Sequence, residues 1–314
     1  MIAIASAEDN PRGRPVVFGE VLFDVFEDGA EVLGGAPLNL AWHLQGFGRA
    51  PLVVSARGND ARGVAIVDAF ARRGLDASGL QVSIDQDTGV VRARVDGADV
   101  DYDIVEDVAY DHIDADRARS SVESEGAACL IHGMLALRND TSREAFLALR
   151  EVIEGPVFCD VNLRPPHTPL ERVTQFVAKA NWVKVNDDEL SKLTQRVVEV
   201  PSDAAVAGEH LRERHDLDAV VVTSGADGAI LALRGDEPVF VPAPPLEDLV
   251  DPIGAGDAFA SVALIGLLEA WDPTTILRRA HDFAAVICGV RGAIPDDQSV
   301  YGRVLATWDE DGNA

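Results

Sequence analysis

Six short apolar runs, at 15–19, 52–55, 129–132, 157–160, 182–186 and 219–223, recur along the chain. Between them lie stretches with helical spacing of apolar residues, at 61–73, 142–153, 170–178, 188–193 and 204–215. Short runs that are mostly apolar suit strands covered on both faces. Strands that take turns with helices build a mainly parallel sheet, an α/β architecture. In such sheets ligands gather at the carboxyl ends of the strands. Asp160, Asn162, Asn186 and Thr223 fall at or just beyond those ends.

One segment breaks the rhythm. Residues 88–100 alternate through Val91-Arg92-Ala93-Arg94-Val95 and reach a turn-like Asp96-Gly97, and 100–105 alternate again. This pattern predicts a β-hairpin or a small sheet without helices, which suits a lid on an α/β body. No repeat or low-complexity tract appears. Residues 306–314 read as a frayed acidic tail.

The chain has 314 residues, 47% of them hydrophobic, enough for one large α/β domain or two smaller ones. No apolar stretch reaches the ~20 residues that span a bilayer. Residues 1–14 lack a basic segment followed by an apolar core, so they are expected to be a disordered leader, and the protein cytoplasmic. Cys129, Cys159 and Cys288 are odd in number and widely spaced in apolar surroundings. They read as buried thiols, with Cys129 and Cys159 in core strands, and argue against a disulfide or metal site. The balance of 53 acidic against 27 basic residues, a formal net charge of −26, repels nucleic acid and anionic membranes. Lys179, Lys184 and Lys192 are the only lysines. Two readings of that surface stay open: adaptation to high internal salt, and ordinary acidity with Arg favoured over Lys.

The densest chemistry lies in Asp251-Pro252-Ile253-Gly254-Ala255-Gly256-Asp257-Ala258-Phe259. A Gly-Ala-Gly turn opens an apolar helical run with a carboxylate at its mouth. Helix N-termini leave N–H groups unpaired and carry partial positive charge, and glycines let a ligand come close. That makes an anion cradle. An aspartate beside it is awkward unless it accepts a proton, for example from a hydroxyl attacking a phosphate. A capped helix after a flexible loop is the alternative that local sequence leaves open.

A second glycine-rich turn, Gly34-Gly35-Ala36-Pro37-Leu38-Asn39-Leu40-Ala41, leads into a helix with Pro37 near its first turn. Asn39 is expected to face out of that turn with a donor and an acceptor, which suits a polyol; a local cap is the alternative. Asp24, just after the first strand, could accept bonds from two sugar hydroxyls or be a solvated loop carboxylate. No P-loop, no Gly-x-Gly-x-x-Gly after the first strand, no zinc-spaced Cys/His set and no nucleophile elbow is present.

Residues 251–259 resemble the C-terminal motif of the ribokinase (PfkB) family of sugar kinases, usually Asp-Thr-x-Gly-Ala-Gly-Asp-x-Phe. Residues 34–41, with Gly46 beyond, resemble the family's N-terminal motif. The alternating segment falls where the family places its β lid, so the resemblance spans about 15–301. It implies a ribokinase-like three-layer α/β/α fold with a mainly parallel central sheet. One kinase domain at 15–314 is expected, with the lid drawn from about 20–34 and 88–112. Lids in this family often pair into homodimers.

The resemblance also implies roles for residues. Asp257 matches the catalytic base, and Gly254, Ala255 and Gly256 match the anion hole at the transferring phosphoryl group. Asp24, Gly34, Gly35 and Asn39 match the sugar side. Asn186 and Glu189 match an Asn-x-x-Glu element that helps order Mg²⁺ and the ATP phosphates, with magnesium held mostly through water. Glu189 also reads as a first-turn helix residue favoured by the dipole. Thr223, Gly225 and Gly228 match the nucleotide-binding turn, and His281 falls where the family contacts adenine. K⁺ is implied beside the anion hole, with backbone ligands at Asp251, Ile253, Ile287, Val290 and Gly292.

For the acceptor, Gly-Gly-Ala-Pro-x-Asn-x-Ala and Asp160-Val161-Asn162-Leu163-Arg164 resemble fructokinases, the latter also ketodeoxygluconate kinases. Arg164 could brace ATP phosphates or a substrate carboxylate, or form a strand-end salt bridge to Asp160. Residues 109–113 resemble the Ala-Trp-Asp stretch of bacterial fructokinase lids, with Tyr110 in place of Trp. These features favour fructose over ketodeoxygluconate, ribose or a nucleoside. A sensor with a dead site is the reading from another class, and the intact Asp257 argues against it. Pro252 departs from the family's Thr, removing one N–H and fixing φ in the cation loop.

Overall fold

The computed structural model of the chain describes residues 13–96, 99–122, 126–198, 201–246 and 249–311. The strands are β1 (Arg14–Phe18), β2 (Leu22–Val25), β3 (Glu31–Gly34), β4 (Leu52–Gly58), β5 (Leu80–Ser83), β6 (Gly89–Asp96), β7 (Asp99–Ile104), β8 (Ala127–His132), β9 (Val157–Asp160), β10 (Trp182–Asn186), β11 (Ala219–Thr223), β12 (Ala229–Leu233) and β13 (Val239–Val241). The helices are α1 (Ala36–Gly46), α2 (Ala61–Arg73), α3 (Ala115–Val122), α4 (Asp140–Val152), α5 (Leu170–Val177), α6 (Asp187–Thr194), α7 (Ser202–Arg214), α8 (Ala255–Glu269), α9 (Pro273–Cys288) and α10 (Ser299–Asp311). They form two compact units, Met1–Ala41 with Gly48–Gly155, and Trp42–Phe47 with Pro156–Ala314.

In the first unit β8, β1, β4 and β5 lie side by side and parallel. Val17 faces Val53 on one side and Ile131 on the other. Every residue of β1 is buried, the apolar Pro15 to Phe18 as a central strand should be and the charged Arg14 with them. Helix α2 shows how local sequence sets an element. Asp60 caps its start by accepting the Gly63 N–H, and Gly74 ends it in a left-handed conformation, φ 70°. Ile66, Ala69 and Phe70 are its buried stripe.

The second unit has β9, β10 and β11 parallel, followed by β12, antiparallel to β11, and β13, antiparallel to β12. The six apolar runs all appear as strands, while β12 and β13 were not among them. Cys129 and Cys159 lie in β8 and β9, and all three thiols are free and buried. Burial pushes the Cys129 thiol up to about 12.

A separate four-stranded sheet, in the order β3-β2-β6-β7, belongs to the first unit. Strand β2 is antiparallel to β3 and parallel to β6. Strands β6 and β7 form the expected hairpin, with Val91 facing Ile104. Gly97 of its expected turn lies outside the described residues. The sheet draws on 22–34 and 89–104, and Ala109–Asp111 instead make a buried 3₁₀ turn. There Arg138 donates through Nε (2.8 Å) and a terminal nitrogen (2.7 Å) to the two oxygens of Asp111.

Two expectations about the ends need correction. Residues 306–311 are not a frayed tail but the last turns of α10. Val300, Tyr301, Val304 and Trp308 form a buried stripe at helical spacing, and Trp308 stacks on Phe47 at 5.2 Å between ring centroids. The acidic run Asp309-Glu310-Asp311 that follows Trp308 draws attention away from that period. At the other end, Arg14 is not leader but the first residue of β1. It is buried, donating to the Ala50 and Pro51 carbonyls and pairing with Asp76 at 2.8 Å. Residues 1–12 lie outside the described residues. No helix among the described residues is long and apolar enough to cross a membrane.

Candidate active site

Helix α8 begins at Ala255 with Gly254 as its N-cap in a left-handed conformation, φ 82°. A Cβ at Gly254 would sit on Ala293, so backbone shape and space both require glycine there. Ala255 and Gly256 are the first two helical residues, and their N–H groups are among those a helix start leaves without helical partners. Asp257 lies in the same first turn. From Ala258 to Gly266 the helix is buried.

Close to this turn stands a residue noted in the sequence only as one of three lysines. Lys184 of β10 reaches both oxygens of Asp160, at 3.0 and 3.1 Å, and both side chains are buried. A Cβ built on Gly256 would lie 3.4 Å from the Lys184 ammonium nitrogen, so this charge sits beside the glycine turn. Burial pushes Asp160 up to about 6, opposed by Lys184 and reinforced by the negative charges of Asp257 and Glu189. Burial works against the charge of Lys184, but Asp160, Glu189 and Asp257 together hold its pKa above the ordinary value. A buried ammonium facing three carboxylates is a built electrostatic centre, not a solvated face. Asp160 is therefore paired with Lys184, while Arg164, exposed, donates to its neighbour's carbonyl at Leu163 (3.0 Å).

Asn186 and Glu189 close a capping box at the start of α6. Asn186 Oδ1 accepts the Glu189 N–H (2.8 Å) and Glu189 Oε2 accepts the Asn186 N–H (3.0 Å). Glu189 Oε1 also accepts the Leu163 N–H (2.7 Å), which braces the loop after β9. In that loop Asn162 takes a left-handed φ of 39°, a costly conformation often found at functional sites. No group of three metal-ligating side chains occurs among the described residues. Both Glu189 oxygens are engaged by backbone N–H groups, so any Mg²⁺ it orders would be reached through water or phosphate.

The turn after β11 is closed by the Ser224 N–H donating to the Gly228 carbonyl (2.9 Å). Gly228 has φ 133°, and a Cβ there would meet the Phe240 ring at 2.8 Å. His281 of α9 is buried, edge-on to Phe259 at 5.0 Å between ring centroids, with a hydrogen bond to the Val241 carbonyl. Burial lowers its pKa more than that carbonyl raises it, so the ring stays neutral. Its Nε2 and the Ser224 hydroxyl are buried with no hydrogen-bond partner among the described residues. An ordered water or a ligand completes such atoms. Thr223, Gly225, Gly228 and His281 thus gather near β13, and Ser224 joins them unforeseen.

The loops at 250–253 and 287–292 are tied together. Asp251 accepts the N–H of Ile253 (3.0 Å) and of Gly292 (2.9 Å), and the Cys288 carbonyl accepts from Val250 and Asp251. The five residues expected around a cation are therefore neighbours, but the Asp251 carboxylate is engaged by amides, leaving backbone carbonyls as the donors that suit K⁺.

The expected sugar-side residues lie in the first unit. Asp24 is on β2, and a Cβ on Gly34 of β3 would come 2.8 Å from its Oδ2. Gly35, φ 113°, packs so closely that a Cβ would meet the Glu20 carbonyl at 2.6 Å. Asn39 lies in α1, its N–H donating to the Gly35 carbonyl, and is buried.

Comparison with known proteins agrees with this chemistry. The model of the pfkB family carbohydrate kinases matches residues 20–299. A fructokinase of Klebsiella pneumoniae is 28% identical, over 88% of this chain and 92% of the relative. A 2-dehydro-3-deoxygluconokinase of Escherichia coli K12 is 26% identical, over 88% and 96%. A double-mutant Vibrio cholerae fructokinase, solved with fructose, ADP and potassium, superposes with a TM-score of 0.76 at 23% identity, over 93% of this chain and 98% of that one. The chain belongs to the PfkB family of carbohydrate kinases and has its ribokinase-like α/β fold.

Proposed function

We propose that this carbohydrate kinase transfers the γ-phosphate of ATP to a primary hydroxyl of a small sugar, with fructose the first candidate. The observation that carries the reading is the start of α8, where Gly254 to Gly256 bring helix-start amides and Asp257 to one turn beside the buried Lys184. Asp257 takes the proton of the acceptor hydroxyl as it attacks phosphorus. The amides of Ala255 and Gly256 and the Lys184 charge face the negative charge that grows on the phosphoryl oxygens. Thr223, Ser224, Gly225, Gly228 and His281 receive the nucleotide, with the Ser224 hydroxyl and His281 Nε2 as donors or acceptors awaiting it. Asn186 and Glu189 order phosphates whose Mg²⁺ lowers their charge. K⁺ would be held by carbonyls of the 251–253 and 287–292 loops, as the potassium in the Vibrio relative suggests.

Asp24, Gly34, Gly35 and Asn39 hold the sugar, and the small sheet serves as a lid that keeps water from replacing it. Fructose is favoured by the Gly-Gly-Ala-Pro turn and the fructokinase relative. Exposed Arg164 supports a second reading, 2-keto-3-deoxygluconate, whose carboxylate a guanidinium would fit. A coupled ADP-release assay over fructose, ketodeoxygluconate, ribose, glucose and adenosine decides. Fastest turnover with fructose supports the reading; preference for the sugar acid moves it to the second; no acceptor-dependent ADP release rejects it.

A further inference from the structure

The first turn of α2 belongs to none of the sets above, yet it grips the small sheet at two places. The Asp60 carboxylate caps the helix through Gly63 (2.7 Å) and also accepts the N–H (2.7 Å) and hydroxyl (2.7 Å) of Thr88. The Gly58 N–H closes this knot on the Thr88 hydroxyl at 3.0 Å. Arg62 donates through Nε (3.0 Å) and a terminal nitrogen (2.6 Å) to the two oxygens of Glu31. This is a bidentate pair, which fixes orientation as well as distance.

Thr88 leads into β6 and Glu31 opens β3. Between those two strands lies β2, the strand of Asp24. In register, Asp24 faces Val32 on one side and Val91 on the other. One helical turn therefore holds both neighbours of the strand that carries the sugar-side aspartate. The outer strand β7 is secured by other means: Arg138, anchored on Asp111, donates to the Val105 carbonyl at its exit (2.6 Å).

We propose that Asp60, Thr88, Arg62 and Glu31 form a latch that positions Asp24, making them positioning residues that set affinity for the acceptor sugar. The proposal rests on the sugar-kinase reading of Asp24. Its two halves differ in strength. The Asp60 knot is part-buried, and its hydrogen bonds from Thr88 and Gly63 outweigh burial to keep the carboxylate ionised below its usual range. The Arg62–Glu31 pair is about one-third exposed on each side, so its effect is smaller.

The test is steady-state kinetics of the full chain with the best sugar of the panel and with ATP varied separately. Thr88→Val keeps the shape and removes the hydroxyl. It loses two hydrogen bonds, the one donated to Asp60 and the one accepted from Gly58, and is expected to raise KM for the sugar roughly fivefold or more, with KM for ATP unchanged. Arg62→Glu and Glu31→Arg should each raise sugar KM about two- to fivefold, the range of an exposed ion pair, and the double swap should restore it. Unchanged sugar KM in Thr88→Val, an equal rise in both KM values, or no restoration by the swap overturns the latch. Active wild type with indifferent variants refutes the latch alone, whereas wild type without any sugar-dependent turnover overturns the kinase reading as well.

Discussion

In the second unit, a buried lysine faces both oxygens of a buried aspartate beside the start of α8. In the first, Asp24 stands half-buried on a strand whose neighbours are tied by side chains at or near the surface. The proposed phosphoryl-transfer residues rest on backbone amides and a charge pair that cannot be altered singly without stranding a charge in low dielectric. The proposed acceptor residues rest on a strand held from outside, where substitutions cost little. Under that proposal the transfer chemistry is rigid and the recognition of the acceptor is adjustable.

The largest effect that would break this comparison is at the base. Asp257→Asn should lower kcat by roughly 10²–10⁴ with ATP affinity nearly kept, the usual worth of a positioned base. Pre-steady-state turnover within threefold of wild type would remove the role. Next is Lys184→Met, expected to destabilise by about 3–5 kcal/mol because Asp160 loses its partner. The Lys184→Met/Asp160→Asn double variant should recover much of that loss in urea melts. Two losses that simply add would show that the pair is not the source.

On the acceptor side the expected effect is smaller and confined to sugar. Asp24→Ala should raise sugar KM roughly 10- to 100-fold, the worth of bonds to a charged group, and leave KM for ATP alone. A parallel rise in both would erase the contrast between the two ends. The mildest effect is in pH. Asp160 is raised to about 6 in the folded chain, against about 3.9 unfolded. The folded state therefore holds this proton more tightly, and its contribution is full below about 4. It is lost as pH rises through about 6. Asp160→Asn should flatten the stability profile in that window, and an identical profile would place the proton elsewhere.

Much of the fold was legible because it obeys simple periods. Six apolar runs became strands and 61–73 became α2 to the residue. The Gly-Ala-Gly-Asp turn was legible too, because the demands on each residue are local. What escaped were features made by partners far apart in sequence. Lys184 reads as a polar residue inside a strand, and only the alignment of β9 with β10 shows Asp160 beside it. The latch joins residues 31, 60, 62 and 88, with no spacing to announce it. The last turns of α10 escaped for a different reason: acidic composition spoke louder than the stripe ending in Trp308. Pro252, whose consequence was open, now has an account. Asp251 accepts from Ile253 and Gly292, passing over residue 252, so the missing N–H interrupts neither bond.

Gly254 and Ala293 meet so closely that neither can gain bulk without displacing the other. Ala293 thereby inherits a size ceiling that nothing in its own backbone imposes. Glycine is the one smaller residue it can become, while Gly254, with its left-handed turn, has no alternative at all. A length change in either loop would be felt at the other, so insertions that diversify this enzyme must fall elsewhere. In a library of random variants, position 293, itself an ordinary alanine, should tolerate few residues, though more than the glycine it touches.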